Sequence, residues 1–462
     1  MPNLKKFIIF IVVAMILVAA LPIVGNKLVE NSLDDRLSTL SSYGLEVSTA
    51  QTESSYLNTK KHFEFLLRDA DKFVEYLNKY SDKQIPPYVN AAFEGVLIGA
   101  DVEYSNIPWS KAVVIDIYPL ALSQNMMSSI KEDDLDFHNY LEKFLHSKGV
   151  LYHINYNIMS ENFDGFVQDI KESYTLKDGT KMSLNLLNAT FSGNGELIAP
   201  NSVVSNVDTI NLIIDSVKTK LVFNLDGFSS SSNFESKSTY LSGGELKSLK
   251  LTLNAINENL VFEATDIKVN FSSNTQGDKA ELNAKSSLKT MSIKSDEIDV
   301  VMKDFAYDIA ISGLEKDSFE EFRIAVSKAK VASPSYSLQT KMQDSIIKLL
   351  SHGLKIDIAK FSLGNITLNE IENLEGFDVK SKFIIKEDKD LAGKINLSPL
   401  LVAKNIDMTI NIKLSKPLYA KLTQNAPMTS MANDYAKEDA KSVFFDITFM
   451  DGELKVNGKA LR

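Results

Sequence analysis

Past residue 150 the apolar residues of this chain recur at every second position, in stretch after stretch. Ile210, Leu212 and Ile214 set the beat, and Leu221, Phe223 and Leu225, then Leu249, Leu251 and Leu253, repeat it. It returns in Ile267, Val269 and Phe271, in Phe305, Tyr307, Ile309 and Ile311, in Leu354, Ile356 and Ile358, and in Ile406, Met408, Ile410, Ile412 and Leu414. A period of two sends alternate side chains to opposite faces, so each stretch predicts a half-buried strand of antiparallel type. One face is apolar and the other carries Ser, Asn, Thr and Lys. Helical spacing interrupts this region twice, over 318–328 with Phe319, Phe322 and Val326, and over 337–350 with Leu338, Met342, Ile346 and Leu349. Gly353 stands just beyond the second, where a helix end favours glycine. A closing hairpin is expected over 443–457, its strands joined by Asp451-Gly452 and its last strand ending at Asn457-Gly458. Ser229 to Ser232 reads as a loop, and no repeat of fixed period is legible.

Residues 44–150 form a mixed region. Leu45 and Val47, then Phe63, Phe65 and Leu67, are strand-like, and Ala70 to Tyr80 carries Phe73, Val74 and Leu77 at helical spacing until Ile85, Pro86 and Pro87. Val96 and Ile98, then Val113, Ile115 and Ile117, predict further strands around the single tryptophan, Trp109. A helix is expected over 132–147, with Glu132, Asp133 and Asp134 complementing the positive end of its dipole.

Ahead of all this stands an apolar run, residues 7–24, opened by Lys5 and Lys6. Its length suits a membrane span, which takes roughly 17 to 25 apolar residues. The basic flank, residues 1–6, is expected to stay cytoplasmic, which sends the rest of the chain across the membrane. Val18 and Ala20 also fit a cleavage site before Leu21. Leu28, Val29, Leu33, Leu37 and Leu40 keep helical spacing, so residues 25–43 read as an amphipathic stalk or a short coiled coil.

Composition suits an exported chain. The 462 residues include no cysteine, which removes disulfides, thiolate metal sites and a lipid-bearing cysteine. With 50 basic and 60 acidic residues the formal charge is -10, which argues against nucleic acid as a partner. Catalytic patterns are missing. His62, His138, His146, His153 and His352 form no His-Glu-x-x-His motif, and His138 and His146 lie roughly 12 Å apart along one expected helix, where a surface or capping role is the expectation. Gly193-x-Gly195 lacks the third glycine of a nucleotide loop, and Asp133, Asp134 and Asp136 lack the spacing of a calcium loop. The sequons at Asn188, Asn270, Asn365 and Asn396 matter only in a eukaryotic secretory pathway. No catalytic residue, cofactor or metal is therefore expected, and an enzyme would need acid and base groups that meet only in space.

The expected fold is mainly β with a few helices (α+β), a long antiparallel sheet, curled or self-closed, over 151–462 behind one N-terminal transmembrane helix. Many strands and two helices leave much apolar surface to cover, at about 25 cal/mol per Å². The sheet can close on itself, dimerise, or curl into a groove that meets a lipid. In the last case Phe305, Ile309, Ile356, Ile358, Ile410 and Ile412 are the expected lining.

The order of basic flank, anchor, alternating strands, late helix and the terminal stretch Phe449-Met450-Asp451-Gly452-Glu453-Leu454-Lys455-Val456-Asn457-Gly458 resembles the YdgA-like family of bacterial envelope proteins. Leu354-Lys355-Ile356-Asp357-Ile358 with Phe361 and Leu363 is similar too. The resemblance implies an inner-membrane protein with a periplasmic body and no family catalytic residues. More distantly the architecture is similar to that of AsmA-like proteins, whose strand-built grooves are thought to carry lipid. Lipid binding, with a scaffold that self-associates or docks envelope partners as the alternative, is the resulting expectation.

Overall fold

The computed structural model describes residues 41–461 apart from 57, 81–93, 106–111, 148, 150, 197–198, 237, 257, 276, 330–335, 370–371, 399–400 and 425–433. The run expected to be an anchor, the stalk as far as residue 40, the Ile85-Pro86-Pro87 stop and Trp109 lie outside these residues. No helix among the described residues is long and apolar enough to cross a membrane. The fold is mainly β and antiparallel, and the chain divides into two compact units, Met1–Val217 and Lys218–Arg462.

In the first unit, β1 (Leu45–Ser54), β2 (Asn58–Leu67), β3 (Leu97–Ser105), β4 (Ala112–Ala121), β5 (Tyr152–Asn157) and β6 (Asn162–Val167) pair in sequence order. Next come β7 (Ile170–Thr175), β8 (Lys181–Leu187), β9 (Ala189–Glu196) and the long β10 (Ala199–Asp215). β10 pairs with β9 through its first half and with β8 through its second. One face is a dry core: Phe65, Leu67, Ile115, Ile117 and Ile154 are fully buried, together with Phe73 of α1 (Ala70–Tyr80), the helix expected there. The helix expected over 132–147 is two helices, α2 (Gln124–Asp133) and α3 (Leu135–His146). Asp134 divides them. Its backbone is extended and its carboxylate accepts the amide of Phe137, so it caps α3, while Glu132 and Asp133 belong to the end of α2.

The second unit begins with five long strands, β11 (Thr219–Phe234), β12 (Tyr240–Ala255), β13 (Glu258–Asn274), β14 (Lys279–Ser295) and β15 (Asp299–Glu315). Helices α4 (Lys316–Ala329) and α5 (Tyr336–Ser351) follow, then β16 (Leu354–Leu368), β17 (Glu372–Ile385), α6 (Leu391–Leu397), β18 (Ile406–Ser415) and α7 (Lys416–Gln424). The chain closes with β19 (Lys437–Glu438), β20 (Ser442–Met450), β21 (Glu453–Val456) and β22 (Lys459–Ala460). Strands β11 to β18 pair strictly with their chain neighbours, and β18 pairs with β20.

Five expectations need correction. The sheet is open rather than self-closed: most pairings join a strand to the next one, the others, β6 with β9, β8 with β10 and β18 with β20, skip only one or two strands, and none returns to the start among the described residues. Ser229 to Ser232 are not a loop but part of β11: Ser230 and Ser231 face Gly244 and Gly243, and the Ser232 and Ser242 hydroxyls lie 2.8 Å apart. Antiparallel pairing satisfies their backbone, and composition alone does not report pairing. Four α-helices, not two, interrupt the strands past residue 150 among the described residues; α6 and α7 are too short for their periodicity to show. Asn457-Gly458 is a second two-residue turn, at φ 51° and 82°, leading into β22. A recurring element also exists, marked by backbone conformation and described below.

Candidate functional site

Register places all six expected lining residues on one face of the second unit. Directly paired residues of an antiparallel sheet share a face. Ile309 pairs with Ile358, Ile358 with Ser381, Ser381 with Ile410 and Ile410 with Ile447. A parallel row on one side runs through Tyr307, Phe361, Val379, Ile412 and Phe445, and on the other through Ile311, Ile356, Phe383, Met408 and Phe449. Phe305, two residues from Tyr307, stands on the same face with its ring edge-on to Phe361 at 5.8 Å. A β-bulge at Ala359 and Lys360 of β16 keeps Ile358 and Phe361 on that face despite their odd spacing.

The same three rows extend across β14 to β11 as Ser286, Val269, Gly244 and Ser230, as Ala284, Phe271, Ser242 and Ser232, and as Leu282, Ser273, Tyr240 and Phe234. Each row thus crosses nine strands, and not one position in the three is charged. Charges stand on the opposite face, paired strand to strand: Lys268 with Glu245 at 3.0 Å, Lys285 with Asp308 at 3.3 Å and Lys382 with Asp357 at 3.9 Å. The sheet is therefore amphipathic through its thickness.

Among the described residues, helices pack on two margins of the apolar face. Phe319 and Phe322 of α4 and Leu349 of α5 pack on Leu282, Ile311 and Ile356. From α7, Tyr419 packs on Ile412 and Ile447 and sets its ring 5.8 Å from Phe445. Between them the face stays half-buried: none of the six residues expected as lining is fully buried, and Phe271 and Phe361 are 42% and 38% exposed.

A polar row in the first unit escaped sequence reasoning. His62, Asp101, Asp116 and His153 follow one another across β2, β3, β4 and β5 on the face opposite the core. Nδ1 of His62 donates to Asp101 at 2.6 Å, Nδ1 of His153 donates to Asp116 at 2.7 Å, and the Tyr118 hydroxyl donates to the second oxygen of Asp101 at 2.8 Å. Burial first, and that hydrogen bond second, push the Tyr118 phenol above the ordinary tyrosine range. Tyr118 lies flat over Gly99, where a side chain would meet its ring. Partners 37 and 39 residues apart leave no local signal; only strand register brings them together.

The other candidates resolve into structure. His138 is buried at 7% exposure rather than on the surface, with Nε2 3.8 Å from Glu142 and Nδ1 without a partner among the described residues; α3 packs that side inward. Gly193 lets the Phe163 ring lie against β9. Among the described residues no three His, Asp or Glu side chains are placed to hold a metal ion. Compared with known proteins, the chain matches no family model, no curated protein and no solved structure.

Proposed function

We propose that this is a non-enzymatic envelope protein, held in a bacterial inner membrane by residues 7–24 with its N-terminus cytoplasmic, whose periplasmic β-rich body holds lipid acyl chains on the apolar face of the second unit. The observation that carries the reading is the absence of charge from three rows nine residues long on an open sheet. Such a face gains about 25 cal/mol for each Å² that leaves water, whatever apolar partner covers it. A charged lipid headgroup on it would find no partner and would lose its hydration, so the headgroup belongs beyond the rows and the chains upon them. Contiguous apolar patches of this kind are uncommon on free proteins and mark binding surfaces. YdgA-like membership is proposed alongside, on the terminal hairpin and the Leu354 strand.

The test is photo-crosslinking in living bacteria with the full chain. A photoreactive amino acid at Ile358 or Ile410 is expected to capture lipid, and the same group at Thr409 or Lys382, on the charged face, to capture none. Adducts between two copies of the chain at Ile358 would instead favour the scaffold reading, in which a second copy covers the face.

A further inference from the structure

Four residues at interruptions of the ladder, Asn188 between β8 and β9, Gly227 in β11, Asp266 in β13 and Asp304 in β15, adopt the left-handed conformation with φ of 51°, 64°, 49° and 56°, as Gly195 and Gly313 also do near the ends of β9 and β15. The spacing of the four is 39, 39 and 38 residues. All four belong to the three residue types that tolerate this conformation best. Around each, apolar residues stand four and two positions before and one after: Leu184, Leu186 and Ala189 about Asn188; Phe223, Leu225 and Phe228 about Gly227. Phe262, Ala264 and Ile267, then Val300, Met302 and Phe305, repeat the pattern. The alternation of period two therefore slips by one residue at every such site. That slip, and not the strand itself, recurs.

The ladder is interrupted at each of these points. Asp226 pairs with Ser248 and Phe228 with Leu246, leaving Gly227 against the side chain of Lys247. Between β14 and β15 the same interruption holds Lys289 and Asp304, joined at 2.8 Å. In the first unit Asn188 donates to Asp208 of β10 at 2.7 Å. The intervals from Gly227 to Asp266 and from Asp266 to Asp304 each comprise the second half of one strand, the whole of its neighbour, and the first half of the strand after that; the interval from Asn188 to Gly227 comprises β9, β10 and the first half of β11.

We infer that this part of the chain is a tandem of hairpin modules, and that module number sets the width of the apolar face and so how much acyl chain it holds. The first half stands on backbone and register alone; the second rests on the lipid reading above. Excising residues 228–266 joins Gly227 directly to Ile267. The first half of β11 then takes the place of the first half of β13: Phe223 and Leu225 come to stand against Ile293 and Met291, where Phe262 and Ala264 stood. Every later residue keeps its partner. The rows shorten from nine strands to seven, a loss of about 10 Å of width.

The experiment compares the full chain with a version lacking 228–266 and one carrying 228–266 twice. Folding is read from cooperative thermal unfolding by circular dichroism, and capacity from titration with cis-parinaric acid, a fluorescent fatty acid, with a detergent blank subtracted. At least one variant is expected to unfold cooperatively as the parent does, with fewer fatty-acid sites after excision and more after duplication. Failure of both variants to fold overturns the modular inference. A folded variant whose capacity equals the parent's overturns the link between modules and width. No binding even to the parent sinks the lipid reading and its capacity link together, while the folding readout still judges the modules.

Discussion

The ammonium of Lys289 sits 2.8 Å from the carboxylate of Asp304, across the line where β14 and β15 break their ladder. Both side chains are more than half exposed, so the pair itself contributes little to stability. What Asp304 supplies is tolerance of φ 56°. Replacing Asp304 with Gly is therefore expected to change stability by no more than about 0.5 kcal/mol, and replacing it with Val to cost about 1–2 kcal/mol, since a β-branched residue resists the left-handed region. Urea unfolding of both variants checks this. Equal losses would show that the ion pair, not the backbone, matters.

Gly376 of β17 lies so close to β16 that a side chain there would overlap the Leu363 carbonyl. Backbone cannot retreat as a flexible side chain can. Gly376→Ala is expected to lower stability by about 2 kcal/mol or more. Gly452→Ala, at a turn tip with open space but φ 81°, should cost only about 1 kcal/mol, by urea unfolding.

Glu315 ends β15 and caps α4. Its carboxylate accepts the Ser318 hydroxyl, the Ser318 amide and the Asp317 amide, and the Ser318 hydroxyl chief among them holds it down at about 2. A carboxylate depressed on folding adds stability that is fully present above its unfolded value, near 4.3, and is lost as pH falls through the folded one. The acid-induced loss of stability between about pH 4.3 and 2 should therefore be shallower in Glu315→Gln than in the parent. Identical pH profiles would remove Glu315 from this role.

Asp101→Asn tests the polar row. Removing the carboxylate that accepts the Tyr118 proton should lower the phenol's pKa, yet leave it above the ordinary value of about 10, because burial is the larger cause. Tyrosine-selective NMR titration reads it. A phenol that titrates as in the parent would mean that Asp101 does not act on it.

On the apolar face, Ile358→Lys combined with Ile410→Lys should abolish lipid capture while the urea midpoint shifts only modestly. Both positions are half-buried, and lysine can carry its stem along the face with its head in water. A collapse of the fold would mark these residues as core rather than lining.

Much of the architecture follows from local pattern. Period two in Leu249 to Leu253 or Ile406 to Leu414 is strand whatever its neighbours, because side-chain alternation belongs to the backbone. Helix α1 runs over Ala70–Tyr80 as its spacing predicts, and Asp451-Gly452 turns as its residue types require. Even the shared face of Ile309, Ile358 and Ile410 was legible as apolar rows, though not that they are one row.

Tertiary structure decided the rest, and the reason is that pairing partners are distant in sequence. Nothing near His62 announces Asp101, and nothing in Ser229 to Ser232 announces the glycines of β12 that make them a strand. The recurring element stayed hidden because its mark is a value of φ shared by Asn, Gly and Asp, not a shared residue. Openness, too, is a property of the assembled sheet. Each strand demands that one face be covered, but only the order of pairing says whether another strand does the covering or leaves that face to a partner.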